Sequence, residues 1–171
     1  MQLIQSRNIK DYKSILEGLI DDFGYVYYHD ILVWCGIIEK PNKYKSPFWE
    51  AYLIKHRSKT IGICGLYNED FSEIEFKKNK DIELWLWWFG ILPSHRGLKL
   101  GGKALLKLEE IAKLRGANKI MSYVDRNAPD SLRFYKSNGY KKIGTVADYK
   151  ESVYTIQDFE CYKDHIISKS L

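Results

Sequence analysis

The stretch from Asp81 to Gly116 constrains the fold more than any other part of the sequence. It starts with a dense apolar run, IELWLWWFGILP, continues through a basic glycine-bearing turn, SHRGLKLGG, and finishes with KALLKLEEIAKLRG. Apolar side chains occupy both alternating faces of the first segment, as in a strand buried at the centre of a sheet. In the last segment they recur at three- and four-residue spacing, which is typical of an amphipathic helix. The pattern therefore predicts a buried strand, a loop and a helix.

The turn between this strand and this helix has the composition of an anion-binding site. The first amides of a helix have no intrahelical partner, and the helix dipole adds partial positive charge there, so phosphate oxygens can bind. The turn supplies three glycines that allow close backbone approach and three cations, namely Gly97, Gly101 and Gly102 with Arg96, Lys99 and Lys103. An ordinary strand-to-helix connection with solvated cations has the same composition, so composition alone leaves both interpretations open.

The order of residues in this turn resembles a known cofactor motif. The pattern Ile91-x-Pro93-x-x-Arg96-Gly97-x-x-x-Gly101, after an apolar strand and before a helix, is similar to the acetyl-CoA signature of the GNAT N-acetyltransferase superfamily. That family's loop usually reads Arg/Gln-x-x-Gly-x-Gly/Ala, and Lys99 stands here where the middle glycine is expected. The resemblance implies that backbone amides bind the pyrophosphate of acetyl-CoA, from residues Arg96, Gly97, Leu98, Lys99, Leu100, Gly101 and Gly102.

The resemblance extends to residues on both sides of the turn. It implies that the backbone of Phe89 and of Ile91 contacts the pantetheine arm and the thioester carbonyl. The segment LRFYKSNGY is similar to the family's Tyr-x-x-x-Gly-aromatic motif, whose tyrosine faces the CoA sulfur, and this assigns Tyr135 to protonate the departing thiolate. A phenol with a pKa near ~10 can donate to a thiolate whose conjugate acid has a pKa of ~8.5 to 9. Asn127 resembles the family's pantetheine-binding asparagine, with capping of the next helix as the alternative.

A general base is expected near the start of the central strand. Many relatives keep a carboxylate there that removes the proton of the amine through water, and the resemblance places Glu83 in that role. Asp81 and His95 are alternatives, and Glu83 also fits a residue that marks the solvated end of the strand. An amine that enters already neutral needs no strong base.

The same turn also satisfies most of a nucleotide-binding pattern. Gly97-x-x-x-x-Gly102-Lys103 resembles a P-loop, and the strand ending at Asp125 resembles the one that positions magnesium. Ala104 stands where a Ser or Thr hydroxyl would hold the metal, and the loop falls past the middle of the chain. A P-loop nucleotide-binding protein is therefore the weaker alternative.

Length and hydropathy predict one globular domain that spans residues 1–171. The 45% hydrophobic and 15% aromatic content of the 171 residues is enough for a single core. No charged-then-apolar segment resembles a signal peptide, and the longest apolar runs, Ile31 to Ile38 and Leu84 to Leu92, are too short to span a bilayer. We therefore expect a cytoplasmic protein with no membrane contact.

Cysteine and charge patterns exclude several classes of site. Cys35, Cys64 and Cys161 are widely spaced and lack a metal-ligand or disulfide pattern, so we expect reduced thiols and no metal. The net charge of +5 comes from cations interspersed with acidic residues, and no nucleic-acid-reading module is recognisable. A polyanionic cofactor accounts for part of this charge.

Patterns along the rest of the chain complete the predicted fold. Before the central strand they predict a strand at Leu3–Ser6, a helix capped by Asn8 and ended by Gly24, a second helix from Asp30 to Ile38, and strands FWEAYLIKHR and TIGICGLYN joined by a turn at Ser58 and Lys59. After the amphipathic helix they predict the strand Lys119–Asp125, a helix from Pro129 to Asn138-Gly139, and the paired strands YKKIGTVADY and SVYTIQDF. The tail from Glu160 to Leu171 is predicted as a short helix or a frayed end. This order predicts an α/β fold with a mixed sheet. It is similar to the GNAT fold, in which two parallel strands, here Asp81–Leu92 and Lys119–Asp125, splay apart to admit pantetheine.

The sequence therefore predicts an N-acetyltransferase that moves an acetyl group from acetyl-CoA to a primary amine in a ternary complex. The expected partners are acetyl-CoA and an amine of a small molecule or a peptide, with a homodimer as an open alternative. The tryptophans and the region from Phe23 to Trp49 are candidates for an aromatic acceptor pocket. The alternative from a different functional class is a CoA-binding regulatory module without turnover, which Lys99 and the uncertain base favour.

Overall fold

The computed structural model describes residues 1–6, 8–19, 21, 49–67, 82–145 and 164–171. These residues form one mixed sheet of seven strands with the order β1-β2-β3-β4-β5-β7-β6. The strands are β1 (Gln2–Ile4), β2 (Trp49–His56), β3 (Lys59–Tyr67), β4 (Glu83–Ile91), β5 (Lys119–Val124), β6 (Lys141–Thr145) and β7 (His165–Ser170), and the helices are α1 (Ile9–Glu17), α2 (Leu100–Leu114) and α3 (Pro129–Ser137). The predicted α/β architecture is confirmed, and β4 lies at the centre of the sheet.

Strand β4 is central because apolar side chains pack against both of its faces. On one face Leu84 and Leu86 join a core with helix α2, whose Leu105 and Leu108 are fully buried. On the other face Trp85 is 3% exposed and stacks on Tyr123, with 4.6 Å between the ring centroids. The predicted amphipathic helix therefore covers one face of the predicted central strand.

The alternation of β4 changes phase at Trp88. The register with β3 passes from Gly65 opposite Trp87 to Cys64 opposite Phe89, so Trp88 is the extra residue of a β-bulge. Its φ of 54° lies in the left-handed region, which is uncommon for a bulky side chain. The bulge turns Trp88 toward the core built on α1, and it turns Phe89 toward the core built on α2.

The end of the chain differs from the prediction. The polar tail predicted as a short helix or a frayed end contains strand β7, which lies between β5 and β6 and is antiparallel to both. Ile166 and Ile167 are both fully buried, because a strand inside the sheet has both faces covered. Its partner β6 agrees with the first part of YKKIGTVADY, whereas SVYTIQDF lies outside the described residues.

A buried ion pair fixes β7 to helix α2. Nζ of Lys169 lies 2.9 and 2.8 Å from the two carboxylate oxygens of Glu109, which is 6% exposed. The same amine lies 5.6 Å from the ring centroid of Tyr140. A buried carboxylate is tolerated when a cation pairs with it. Here the cation comes from β7, the last described strand of the chain.

The N-terminal elements agree with the predictions in part. The side chain of Asn8 accepts a hydrogen bond from the amide of Lys10 and caps α1, as expected. The helix ends at Glu17 and is followed by Gly18, whereas Gly24 and the second helix predicted at Asp30–Ile38 lie outside the described residues. No helix in the described part of the chain is long and apolar enough to cross a lipid bilayer.

The hairpin turn between β2 and β3 is one residue earlier than predicted. Arg57 and Ser58, rather than Ser58 and Lys59, occupy it, and their φ values of 48° and 65° are both positive. A two-residue hairpin turn of type I′ requires two consecutive positive φ angles. Neither Arg57 nor Ser58 is a glycine or an asparagine, so the sequence does not mark the position of the turn.

Candidate active site

Strands β4 and β5 pair at one end and part at the other. Parallel pairing begins at Glu83 opposite Lys119 and ends at Leu86 opposite Ser122. Strand β4 then continues to Ile91 without further pairing to β5. This confirms the predicted opening between the two parallel strands.

The backbone of β4 beyond Leu86 carries groups that point into this opening. The amide of Leu92 donates to the carbonyl of Ile61 at 2.9 Å, on the side of β3. Gly90 lies two residues earlier and opposite Ile63, so its backbone N–H and C=O groups face β3 as well. Because backbone groups alternate along a strand, those of Phe89 and Ile91 face the side from which β5 has departed. The carbonyl of Ile91 accepts a hydrogen bond from Nε of Arg96 at 2.8 Å.

Tyr135 lies beside this opening. It is 7% exposed, and its ring contacts those of Phe89, Phe134 and Tyr140 at centroid distances of 6.5, 5.2 and 5.4 Å. Ser122, the last residue of β5 that pairs with β4, lies near enough to the Tyr135 phenol to lower its pKa. The phenol predicted to act on the CoA sulfur is therefore held where the two strands part.

Burial raises the pKa of the Tyr135 phenol above its usual range. The Ser122 side chain opposes this shift, whereas the nearby Cys64 thiol adds to it, and burial also raises the pKa of that thiol. A phenol with a raised pKa stays protonated at neutral pH, so the hydroxyl is available as a donor. Complete transfer of its proton becomes less favourable, which favours hydrogen bonding to a developing thiolate.

The turn after β4 forms a cradle of backbone groups. Pro93–His95 is a single 3₁₀ turn, and Gly97 and Lys99 both adopt left-handed conformations, with φ values of 75° and 56°. Glycine adopts a left-handed conformation at little cost, which explains why the family usually has a glycine at this position. Lys99 adopts the same conformation although it carries a side chain. The amide of Arg96 donates to the carbonyl of Pro93 at 3.1 Å, so this amide, unlike the prediction, is already occupied. The amides that follow, from Gly97 to Gly102, lead into the first turn of α2.

Gly101 and Gly102 face helix α3. A Cβ added at Gly101 would lie 3.1 Å from Cε2 of Phe134, and one added at Gly102 would lie 3.0 Å from Oδ1 of Asn138. These two glycines therefore allow α2 to approach α3. The side chain of Leu98 is 61% exposed, and that of Leu100 is 6% exposed and packs in the α2 core.

Positive charge gathers around the cradle. The pKa of His56 is lowered by its limited desolvation and then by the charges of Arg57, the Met1 amine, Lys103 and His95. These groups come from β1, the β2–β3 turn, the 3₁₀ turn and the first turn of α2, which meet at one end of the sheet. Such a field favours an anionic ligand at this end.

The remaining predicted site residues lie apart from Tyr135. Glu83 is at the first parallel pair, three residues before Leu86, and its carboxylate lies 2.6 Å from Nζ of Lys119. Asn127 is exposed in the turn before α3, where its backbone N–H donates to Oδ1 of Asp125. It is not the cap of α3, because Ala128 occupies that position without a side-chain hydrogen bond.

Of the two alternative candidates for the general base, His95 and Asp81, the structure describes only His95. Nδ1 of His95 lies 2.9 Å from Oγ of Ser94, in the cradle rather than at the start of β4. Asp81 lies outside the described residues, as does most of the proposed acceptor region from Phe23 to Trp49.

The described part of the chain does not fit the nucleotide-binding alternative. Its sheet contains one parallel pair, β4 with β5, whereas a P-loop domain is built on a parallel sheet. Ala104 is fully buried in the α2 core. Among the described residues, no group of His, Cys, Asp and Glu side chains is arranged to hold a metal ion.

Ser122 and Cys64 are neighbours of Tyr135 that the sequence did not indicate. Cys64 is fully buried on β3, and Ser122 is 3% exposed on β5. The available signal was a serine in the otherwise largely apolar strand KIMSYV. A polar residue in such a strand indicates a buried partner, but the sequence does not say which one.

Comparisons with known proteins agree with this geometry. Residues 14–140 match the family model described as Acetyltransferase (GNAT) family. The fold is similar to that of a GNAT-family acetyltransferase from Staphylococcus aureus Mu50, with a TM-score of 0.66 and 18% identity over 99% of this chain and 98% of that one. It is also similar to a Bacillus subtilis acetyltransferase in complex with CoA, with a TM-score of 0.63 and 14% identity over 99% and 97% of the two chains.

A third similar structure, from Elizabethkingia anophelis, is a GNAT family acetyltransferase with acetyl-CoA bound. Its TM-score is 0.53 with 18% identity, and the match covers 72% of this chain and 76% of that one. No curated protein matches the sequence significantly. At these identities the structural neighbours establish the fold, and the family model is the independent sequence match.

Proposed function

Because the chain belongs to the GNAT acetyltransferase family, we propose that it moves an acetyl group from acetyl-CoA to a primary amine. The proposed acceptor is an amine of a small molecule, a peptide or a protein, and it attacks directly within a ternary complex. The observation that carries this proposal is the opening between β4 and β5, with the Tyr135 hydroxyl beside it. Acetyl-CoA is the co-substrate, and the proposed reaction uses no metal.

The cofactor end of the site suits a polyanionic substrate. Backbone groups of Phe89 and Ile91 face the opening, and we assign them to the pantetheine arm and the thioester. We assign the amides from Gly97 to Gly102 to the pyrophosphate, supported by the helix dipole of α2 and the surrounding cations. Arg96 holds the end of β4 through the Ile91 carbonyl, and Asn127 remains a proposed pantetheine contact.

The proposed reaction forms one bond and breaks another. The lone pair of a neutral amine attacks the thioester carbon, a C–N bond forms, and the C–S bond then breaks to release CoA thiolate. Tyr135 donates a hydrogen bond to that sulfur as negative charge develops on it, and the proton that the amine loses reaches the released thiolate through solvent. Holding the amine and the thioester together supplies a large part of the rate.

The proposed general base is already paired with a cation. Glu83 is our proposed base, but its carboxylate is engaged by Lys119 at 2.6 Å. The ion pair must open, or a water on the second oxygen must carry the proton, before Glu83 acts. An acceptor that enters neutral removes this requirement.

The engaged Glu83 favours one alternative function, a CoA-binding module without turnover. The conformation of Lys99 does not favour it, since the backbone there adopts the shape that a glycine would take. We further propose a single domain over residues 1–171 and a cytoplasmic location, and a homodimer stays an open alternative to a monomer.

The first experiment is a thermal-shift titration with acetyl-CoA, CoA and magnesium-ATP. A ligand that binds the folded state alone raises its stability by mass action, so the two CoA compounds should raise Tm saturably while magnesium-ATP does not. An amine screen that detects released CoA thiol then separates the enzyme from the non-catalytic module. Binding of CoA without turnover over a broad panel would support the module, and absence of binding would reject both.

Tyr135→Phe tests the proposed donor once an acceptor is known. The variant keeps the ring contacts with Phe89 and Phe134 and removes only the hydroxyl. We expect kcat to fall by about 10²- to 10⁴-fold with little change in acetyl-CoA affinity. Equal loss in both quantities, or in neither, removes Tyr135 from the reaction.

A further inference from the structure

Trp88 adopts a strained backbone conformation within the central strand. Its φ is 54°, and in the part of the chain that the structure describes the other non-glycine residues with positive φ are Arg57, Ser58 and Lys99, which lie in the hairpin turn and in the cradle. A left-handed conformation is unfavourable for a bulky L-residue and persists only where the surrounding structure holds it. Strain of this kind collects at functional sites, so the contacts that maintain it at Trp88 bear on function.

The bulge at Trp88 resets which side chains of β4 face helix α2. Before the bulge Leu84 and Leu86 belong to the α2 core, and after it Phe89 and Ile91 do. Phe89 follows Leu86 by three positions, and in an uninterrupted strand two residues an odd number of positions apart lie on opposite faces. The extra residue therefore brings Phe89 to the α2 face, and the backbone groups of Phe89 turn with its side chain.

Phe89 lies at the opening between β4 and β5. Its ring centroid is 5.6 Å from that of Phe134 and 6.5 Å from that of Tyr135. Its backbone groups face the side from which β5 has departed, as those of Ile91 do. Both features require the bulge, because without it the Phe89 side chain would point to the face that carries α1.

The ring of Trp88 packs in the core built on α1. The buried members of that core come from α1 and the chain just after it, from β2 and from β3, namely Tyr12, Ile15, Leu19, Ala51, Leu53 and Ile63. Trp88 and Leu92 pack against them from β4. Moving the bulge along β4 would take the Trp88 ring out of this core, so the packing opposes relaxation of the strained backbone.

We infer that Trp88 is a positioning residue for acetyl transfer: by packing in the α1 core, it holds the bulge that turns Phe89 into the opening between β4 and β5. The inference rests on the proposed function, in which the backbone of Phe89 contacts the pantetheine arm and the thioester. Trp88 acts from the face of the sheet opposite Tyr135, and its effect reaches the site through the backbone of Phe89.

Substitutions at Trp88 separate the ring from the backbone conformation. Trp88→Ala removes the packing and leaves a side chain at a positive φ, so the bulge should relax. Trp88→Gly removes the same packing, but glycine adopts this conformation at little cost, so the bulge should remain. With the amine found in the screen, we expect kcat/KM for acetyl-CoA to fall by about tenfold or more in Trp88→Ala, because small displacements of reacting groups are costly. The value for Trp88→Gly should lie closer to that of the parent.

Leu53→Ala is the matched packing control. Leu53 is a 2% exposed member of the same core, and it lies on β2, which β3 separates from β4. Its substitution should lower Tm and leave kcat/KM unchanged at a temperature at which circular dichroism shows every variant folded. Trp88→Leu leaves a smaller cavity and replaces Trp88→Ala in the comparison if that variant does not fold.

Stability gives a readout that is independent of activity. If the Trp88 ring only filled space, glycine within the strand would be less stable than alanine, because glycine gains more freedom on unfolding. Because alanine keeps the strain, we expect the Tm of Trp88→Gly to equal or exceed that of Trp88→Ala. A glycine variant that is less stable than the alanine variant, or no more active, would overturn the inference.

The outcomes distinguish this inference from the proposed function. A parent protein that acetylates no amine refutes the proposed function, and the inference fails with it. If the parent is active and Trp88→Ala keeps its kcat/KM while it loses stability as Leu53→Ala does, the proposed function stands and only the inference is overturned. Loss of kcat/KM in Trp88→Ala with recovery in Trp88→Gly supports both.

Discussion

Lys169 on the last strand and Glu109 on helix α2 form an ion pair in which one amine lies within 2.9 Å of both carboxylate oxygens. The side chains are 24% and 8% exposed, so the carboxylate depends on this cation more than on water. The pair links the strand next to β5 with the helix that follows the cradle. It therefore couples the end of the described chain to both sides of the site.

Lys169→Met should destabilise the protein by about 3 kcal/mol, because it leaves a buried carboxylate without its cation. Urea unfolding followed by far-UV circular dichroism measures the change. The double variant Glu109→Leu with Lys169→Met should recover most of the loss, since an apolar pair of similar volume replaces the ion pair. A single variant as stable as the parent would show that water already compensates Glu109.

Lys99→Gly should stabilise the protein by about 0.5 to 1 kcal/mol. A left-handed conformation costs an L-residue roughly 1 to 2 kcal/mol, and the greater freedom of glycine in the unfolded chain offsets part of this gain. Lys103→Gly is the control, because Lys103 lies inside helix α2 and glycine there should destabilise by about 1 kcal/mol. Urea midpoints that move in the same direction for both variants would contradict the explanation. Acetyl-CoA affinity of Lys99→Gly should be retained.

Gly101→Val should weaken both stability and acetyl-CoA binding. Its Cβ would press on Phe134, which packs beside Tyr135, and overpacking of this kind costs about 1 to 3 kcal/mol. Loss of binding alone therefore does not identify Gly101 as a cofactor contact. Gly97→Ala is the comparison, since no atom lies within 4 Å of its added Cβ and only its φ of 75° opposes the change. Full stability of Gly101→Val, measured by thermal unfolding, would contradict the packing between α2 and α3.

Stability should fall as the pH rises above about 10. Burial raises the pKa of Tyr52, Tyr135 and Tyr140, with Glu50 adding to the shift at Tyr52 and Glu109 to that at Tyr140. These phenols stay neutral in the folded protein, whereas in the unfolded chain they ionise near pH ~10. The unfolded state then loses protons first, so alkali favours unfolding, and the contribution is fully present below that pH. Urea unfolding at pH 8 and pH 10.5 measures the difference, and equal stability at both values would argue against buried neutral phenols.

The sequence predicted the elements whose physical signal is local. The doubly apolar strand β4, the turn with Gly97 and the helix that follows appear as expected, because periodicity and punctuation act over neighbouring residues. The cap at Asn8 and the first-turn proline of α3, Pro129, are local signals of the same kind. The place of Tyr135 beside the opening followed from the resemblance rather than from spacing.

Other features depend on contacts that are distant in sequence. Strand β7 has a polar composition, and its position between β5 and β6 comes from pairing with residues at least twenty positions away. The β-bulge at Trp88 places a tryptophan rather than a glycine at a positive φ angle, so the sequence does not indicate it. Ser122 and Tyr135 lie near each other but belong to a strand and a helix, so neither segment alone predicts that they are neighbours.

The position of β7 has a consequence for how the protein assembles during synthesis. Strand β5 lines the opening, yet its second neighbour consists of residues 165–170, which leave the ribosome long after β4 and β5. Pairings of such sequence separation are slow to form, and an incomplete sheet exposes the edge of β5. A nascent chain that already contains every proposed catalytic residue is therefore expected to lack a formed site until its closing strand is added.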